Sequence, residues 1–276
     1  NQSELHTFAA FLIDSTSPSL GLTTPIANLV NYATPSFVFI STEPGTIVYE
    51  GACSSTKTSA VAGENEITLN SLSDGQYTDC KLKVKDAAGN TDSLALGNFT
   101  IDTVAPGATI TSQILSLTRD ITPSFVIDVS EASVVAYSGS CSSSTTQVQS
   151  GSNEITLNTL SDSTYSDCSI QLSDAAGNQS TPYALDSFEI DSTPPNLNLT
   201  TAVASLVNDA TPSFVFSSSE PGTIVYEGAC SSAKTSAVAG ENEITLNNLN
   251  DGTYPDCELK VTDVAGNVGV LTLGSF

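Results

Sequence analysis

Apolar residues in this chain alternate with polar ones over short stretches, and Pro, Gly, Asn and Asp break the pattern before a helical period develops. Ser36–Ile40, Thr46–Tyr49, Glu66–Leu69 and Cys80–Lys85 are rich in β-branched and aromatic residues and read as strands. In the last of these Cys80, Leu82 and Val84 face one way and three lysines the other, as in a strand with one buried face. The pattern recurs. Thr-Pro-Ser-Phe stands at Thr34–Phe37, Thr122–Phe125 and Thr211–Phe214, at spacings of 88 and 89 residues. Asn-Glu-Ile-Thr-Leu-Asn follows at Asn65–Asn70, Asn153–Asn158 and Asn242–Asn247, and Asp-(Ala/Val)-Ala-Gly-Asn at Asp86–Asn90, Asp174–Asn178 and Asp263–Asn267. Such self-similarity marks an array of one structural unit. The first and third copies differ only at Thr56 and Ala233 between Glu43–Asn70 and Glu220–Asn247; the middle copy is more divergent, with one extra residue between Asn178 and Asp191.

About seven short strands per copy, with turn signals every 8–12 residues, predict an immunoglobulin-like sandwich. Leu-x-Asp-Gly-x-Tyr (Leu72–Tyr77) falls just before the sixth strand, where that fold places its tyrosine corner. Taken in order, strand C covers Thr46–Cys53 and strand F Cys80–Lys85. The fold class is therefore all-β, tandem immunoglobulin-like β-sandwiches, with complete repeats over 12–99, 100–188 and 189–276. Residues 1–11 read as the last strand of a preceding repeat, because Asn1-Gln2-Ser3 matches Asn178-Gln179-Ser180 and both lead to a Phe (Phe11, Phe188) followed by x-Ile-Asp. The chain then reads as a window on a longer array; an authentic mature N-terminus at Asn1 is the alternative. Each copy has its own core positions (Phe37, Phe39, Ile67, Leu69, Leu82 and Val84 in the first), and junctions such as Ile101–Pro106 are short, so an elongated rod is expected.

The motif series Phe-x-Ile-Asp-x-Thr-x-Pro, Thr-Pro-Ser-Phe, Ser-x-Glu, Leu-x-Asp-Gly-x-Tyr and Asp-x-Ala-Gly-Asn resembles the bacterial Ig-like repeats that stack in large secreted adhesins and surface proteins. The resemblance covers the chain three times over and implies an extended extracellular array without identifying a ligand. Two departures stand out: the paired cysteines, absent from many such repeats, and Ala132-Ser133 where the other copies have Pro-Gly after the B–C glutamate.

The six cysteines form the pairs Cys53/Cys80, Cys141/Cys168 and Cys230/Cys257, each 27 residues apart. Identical spacing favours one bridge within each repeat over other connectivities. The end of C lies beside the start of F, which brings the sulfurs within reach. Zinc is the rival, but two Cys and no His per repeat cannot close a tetrahedral site. Disulfides imply an oxidising, extracellular setting.

The recurring carboxylates are Asp14, Asp102 and Asp191 at the opening of strand A, Glu43, Glu131 and Glu220 in the B–C turn, and Asp86, Asp174 and Asp263 at the F–G turn. In a sandwich these three places share one pole, the one facing the preceding repeat. Three carboxylates converging there repel unless a cation intervenes. Hard oxygen ligands in loops suit Ca²⁺, with Asp74 of the E–F turn a further donor at the joint. Many arrays of the resembling family use Ca²⁺ at their joints, which points the same way. The alternative is turn chemistry, in which Asp serves as a cap before Thr-x-Pro and before Ala-Gly.

Composition narrows the function. Charged residues are 13%, with 30 Asp and Glu against 7 Lys and Arg and a formal net charge of −23. That balance argues against nucleic acid and against an anionic membrane surface as partners. No apolar run reaches the length of a spanning helix, and no signal peptide opens the chain, so membrane insertion is not expected. His6 is the single histidine, so no Ser-His-Asp set can recur in the repeats. Glu64, Glu66 and Asp74 could be imagined as a glycosidase pair, but their repetition favours structural use; Tyr49, Tyr137 and Tyr226 read as packing more than as a binding face. Asn98, Asn178 and Asn198 fit the glycosylation pattern, which a chain of this composition produces by chance. The expected function is a non-catalytic spacer of a bacterial extracellular adhesin or surface protein, stapled by disulfides and stiffened by Ca²⁺. Its partners are neighbouring Ig-like repeats of the same longer chain. The alternative is a subunit of an extracellular filament or sheath, with other copies as partners through lateral packing or strand exchange.

Overall fold

The computed structural model describes residues 11–276. The segment read as the last strand of a preceding repeat therefore lies, apart from Phe11, outside the described residues, as does His6. Among the described residues there is no helix; every regular element is a strand.

The first repeat contains β1 (Leu20–Thr24), β2 (Leu29–Val30), β3 (Ser36–Ser41), β4 (Gly45–Glu50), β5 (Ser59–Ala60), β6 (Gly63–Thr68), β7 (Gly75–Tyr77), β8 (Lys81–Lys85), β9 (Thr91–Ala95) and β10 (Phe99–Ile101). Strands β1, β3 and β6 form one antiparallel sheet and β5, β4, β8 and β9 the other. Alternation decides which side chains point between them. Phe37 and Phe39 of β3 are buried, and opposite them in the register stand Ile67 and Asn65 of β6. Across the core, Ile47 pairs with Val84 and Tyr49 with Leu82. Asn65 is polar and buried, yet its side chain exchanges hydrogen bonds with the Val61 backbone, accepting at 2.9 Å and donating at 2.9 Å, so it carries no unpaired group.

A third, small sheet was not expected. β10 lies between β2, which it pairs in parallel, and β7, which it pairs antiparallel. Phe99 and Ile101 of β10 are buried in the first repeat's core, so this strand closes one end of that sandwich. Two expectations change as a result. The boundary drawn between 99 and 100 falls inside β10. Asp102 does not open strand A of the next repeat but leaves the end of β10, with the next strand starting only at Ala108; Asp14 and Asp191 likewise precede strands that begin at Leu20 and Leu197. Strand C ends at Glu50, and Cys53 follows a tight turn beyond it.

The expected tyrosine corner is present three times. Tyr77, Tyr165 and Tyr254 donate their hydroxyls to the carbonyls of Ser73 (2.8 Å), Ser161 (2.9 Å) and Asn250 (2.7 Å), and each ring stacks on the Phe that ends its repeat. Tyr165→Phe should lower stability by about 1 kcal/mol, the net worth of one such bond. A denaturant midpoint unchanged against the unmodified chain would show that ring stacking alone holds the corner.

The sheets recur as Ala108–Ser112, Ser124–Val129 and Gly151–Thr156 with Gln147–Val148, Ser133–Ser138, Ser169–Ser173 and Tyr183–Ala184, and again from Leu197 onward. The middle copy departs in two places. Gly45 and Gly222 admit no side chain, since a Cβ there would lie 2.5 Å from the carbonyl oxygens of Lys85 and Thr262; the corresponding Ser133 donates its buried hydroxyl to the Glu131 carbonyl at 3.1 Å. The extra residue falls between Asn178 and Tyr183. There the Ser180 hydroxyl accepts from the Leu172 N–H at 3.0 Å, and the last strand shrinks to Tyr183–Ala184. The described residues fall into two compact units. One holds residues 11–107, Glu131–Val134 and Leu172–Ser180; the other holds Ala108–Ser130, Val135–Gln171 and Thr181–Phe276. The two loops carrying Glu131 and Asp174 thus belong with the first repeat.

Candidate metal centre

The Asp-x-Ala-Gly-Asn turn begins where strand F ends. The Asp86 N–H donates to the Asn90 carbonyl at 3.0 Å, and Gly89 takes a φ of 101° that a side chain would resist. Asp86 Oδ1 accepts the N–H groups of Gly89 (2.7 Å) and Asn90 (2.8 Å), while Oδ2 accepts the Asn90 amide at 2.9 Å. Asp174 and Asp263 repeat the arrangement with Gly177 and Asn178, and with Gly266 and Asn267. These bonds leave acceptor capacity on Oδ2. Burial alone would raise the carboxyl pKa of Asp86, but the bonds from Asn90, Gly89 and Ala88 outweigh it and hold it below the usual carboxylate range.

The same asparagine reaches the linker. Asn90, Asn178 and Asn267 donate their amides to the carbonyls of Asp14 (3.2 Å), Asp102 (2.8 Å) and Asp191 (2.8 Å). Each linker aspartate closes its own turn, accepting an N–H from Thr16, Val104 or Thr193. The glutamates are placed by the B–C turn, where the Ser41 and Ser218 hydroxyls donate to the carbonyls of Glu43 and Glu220 at 2.6 Å.

The outcome is three triads: Asp14, Glu43 and Asp86; Asp102, Glu131 and Asp174; Asp191, Glu220 and Asp263. Within each, one oxygen per carboxylate lies within 4.8 Å of the others. Burial, then the charges of Asp102 and Asp174, push the Glu131 carboxyl above its ordinary value; burial, Asp191 and Asp263 do the same to Glu220. Since the folded values are raised, these glutamates favour the fold below their ordinary pKa, and that contribution is lost as pH rises through the raised values. Three carboxylates brought this close repel one another. Their donors are all carboxylate oxygens, which suits a hard cation with six to eight oxygen ligands and excludes a thiolate or imidazole site.

Asp74 is used elsewhere. Its carboxylate accepts the N–H and hydroxyl of Thr103 at 3.1 and 2.8 Å, and Asp162 accepts the N–H and hydroxyl of Ser192 and the hydroxyl of Thr193. Those contacts tie the E–F turn to the linker and hold the Asp162 carboxyl below its usual range. Arg119 was not singled out in the sequence: its Nη1 donates to the Gly266 carbonyl at 2.8 Å, in the turn that carries Asp263. The threefold alignment puts Asn31 at the corresponding position, beside Gly177 of the next such turn, and that recurrence was the available signal.

The cysteines bond as expected, Cys53 to Cys80, Cys141 to Cys168 and Cys230 to Cys257, with Cα separations of 5.3, 5.3 and 5.4 Å. Tyr49, Tyr137 and Tyr226 are half-buried and donate to the carbonyls of Lys57, Thr145 and Lys234, a packing role.

Residues 23–103 match the family model of the bacterial Ig-like domain, and the chain carries a domain of that family. Such domains are commonly extracellular or surface modules and typically non-catalytic. No curated protein matches the chain. Among solved structures it is similar to dimeric latent PorU from Porphyromonas gingivalis, at 11% identity over 94% of this chain and 33% of that one, with a TM-score of 0.24. It is also similar to Salmonella alpha-2-macroglobulin reacted with methylamine, at 10% identity over 96% of this chain and 24% of that one, with a TM-score of 0.21. The chain spans a third or less of the length of these proteins.

Proposed function

We propose that this chain is a non-catalytic spacer segment of a bacterial extracellular adhesin or surface protein, an array of disulfide-stapled Ig-like repeats stiffened by Ca²⁺ at its acidic triads. The observation that supports it is the threefold recurrence of one arrangement: an oxygen-only triad whose buried Asp is tied through Asn to the carbonyl of the linker Asp. An ion held there joins linker, B–C turn and F–G turn. Without it, like charges converge beside a short linker. Binding the aligned state stabilises it by RT ln(1 + [L]/Kd), about 2.7 kcal/mol at a hundredfold excess over Kd. Disulfides fit the oxidising surroundings that such a protein works in.

Calorimetric titration of the chelated protein with Ca²⁺ tests this reading. The unmodified chain should take up calcium, and the chain carrying Asp102→Ala with Asp174→Ala should take up less and be cleaved faster between Asp102 and Ala108 by an added protease. No uptake, or equal uptake by both, overturns the metal and leaves turn chemistry holding the joints. A further expectation concerns the chelated state alone. Glu131→Gln removes one of three like charges and should raise stability by about 0.5 kcal/mol at neutral pH, while weakening the response to calcium. A lower melting temperature in chelator would contradict the repulsion argument.

A further inference from the structure

A path of hydrogen bonds crosses each of two joints. Between the first and second repeats, the Asp102 N–H donates to the Val30 carbonyl at 3.0 Å, and the Asp102 carbonyl accepts the Asn178 amide at 2.8 Å. The next joint repeats this with Asp191, Thr118 and Asn267, at 3.0 and 2.8 Å. There the path closes into a ring. Arg119, the neighbour of Thr118, donates from Nη1 to the carbonyl of Gly266, the neighbour of Asn267, at 2.8 Å. Its stem lies against that glycine, with Cδ 3.9 Å from where a Cβ would stand. Asn31 holds the same place beside Val30, with its amide near Gly177, but it is shorter and neutral. The chain has 7 Lys and Arg, and Arg119 is its only arginine and the only basic residue between Lys85 and Lys234. The second repeat thus places its single positive charge on the turn of the third that carries Asp263.

We propose that Arg119 is a latch that holds the joint at Asp191 in its aligned state without an ion, and that the joint at Asp102, which has Asn31 instead, is the one that opens first when no ion is present. The guanidinium is always charged and presents several donors in a fixed fork, so the latch needs neither titration nor a ligand. A hydrogen bond from a charged donor is stronger than one between neutral groups. The charge also stands at the turn of Asp263, where an acidic neighbourhood favours it. Closing the ring matters for motion. A single tie through the linker leaves rotation about it, and a second tie beside the linker removes that freedom. The two joints then differ in kind: one is fixed by its own side chains, and the other answers to its surroundings. The latch stands whether or not the triads take up calcium, and the test is run in chelator to keep the two readings separate.

Limited proteolysis of the 276-residue chain by a protease that needs no calcium tests this, with cleavage read separately at Asp102–Ala108 and Asp191–Leu197. Arg119→Ala should speed cleavage at Asp191–Leu197 about fivefold, the effect on the open population of losing one hydrogen bond of ordinary net worth. It should leave Asp102–Ala108 unchanged. Arg119 is exposed, so the replacement spares the core. Arg119→Lys keeps a charged donor on a long stem and should restore most of the resistance. Asn31→Arg offers the same donor at the other joint and should slow cleavage at Asp102–Ala108. Unchanged cleavage at Asp191–Leu197 in Arg119→Ala overturns the latch. An equal rise in both linkers also overturns it, since that reports general loosening. A chain that takes up no calcium yet shows the Arg119 effect keeps the latch and loses the metal. One that takes up calcium and shows no such effect keeps the metal and loses the latch.

Discussion

Replacing Cys141 and Cys168 together with Ala should cost the second repeat about 3.5 kcal/mol, the chain-entropy value of closing a 27-residue loop. Both residues are buried, and the bridge ties the turn after strand C to the start of strand F in the same sheet. Removing both avoids leaving a lone buried thiol. A domain of this size has a total stability of about 5–15 kcal/mol, so the loss is a quarter to well over half of it. At about 4–8 °C per kcal/mol, the transition of that repeat should fall by roughly 14–28 °C. Scanning calorimetry of the oxidised variant reads this directly. A fall of only a degree or two would mean that packing, not loop closure, holds the repeat.

Gly139→Ala should be comparably damaging. Gly139 stands between strand C and Cys141 with a φ of 78°, and an added Cβ would run into the carbonyl of Asp167, the residue before Cys168. Gly51 and Gly228 meet Asp79 and Asp256 in the same way. The glycine is what lets the turn come close enough for the bridge to form. A left-handed backbone costs a side chain about 1–2 kcal/mol, and overpacking adds about 1–3 kcal/mol, so a loss of about 3 kcal/mol or more is expected. Gly151 is the control. Its φ is 96°, but open space surrounds it, so Gly151→Ala should cost only about 1–2 kcal/mol. Equal losses in chemical denaturation would rule out the steric account.

What the sequence made legible follows from period and recurrence. Phe37 and Phe39 flank Val38 with a period of two, and that alternation is enough to place β3 and its buried face. The cysteine pairing was readable because one spacing occurs three times. The triads were readable because an acidic residue recurs in each of three loops that a sandwich brings to one end. The small sheet was not readable. Leu29–Val30 is too short to show any period, and its partner Thr100–Ile101 lies far along the chain and pairs in parallel. Missing it moved Asp102 from the exit of β10 to the start of strand A. Asp74 was misjudged for a related reason: only the folded chain shows the Thr103 N–H and hydroxyl waiting for its carboxylate. Arg119 could be placed by alignment with Asn31, but its acceptor is a backbone carbonyl, which a sequence does not display.

The irregular last strand of the middle copy bears on how the chain is made. Neighbouring domains of identical sequence tend to exchange strands during synthesis and misassemble. The first and third copies are nearly identical over Glu43–Asn70 and Glu220–Asn247, yet another copy separates them. That intervening copy is a poor donor. The stretch from Asn178 to Ala184 carries one residue more than Asn90–Ala95, pairs at Tyr183 and Ala184 with a single further bridge from Gln179 to Ser173, and has Pro182, which lacks an N–H, where β9 has Ser93. Lent to the first copy, it would slip the register and lose ladder bonds that β9 makes along its whole length with β8. A newly made first copy therefore meets, as its nearest neighbour, a sequence that cannot substitute for its own. The near-twin that could do so emerges only after a whole domain of unlike sequence.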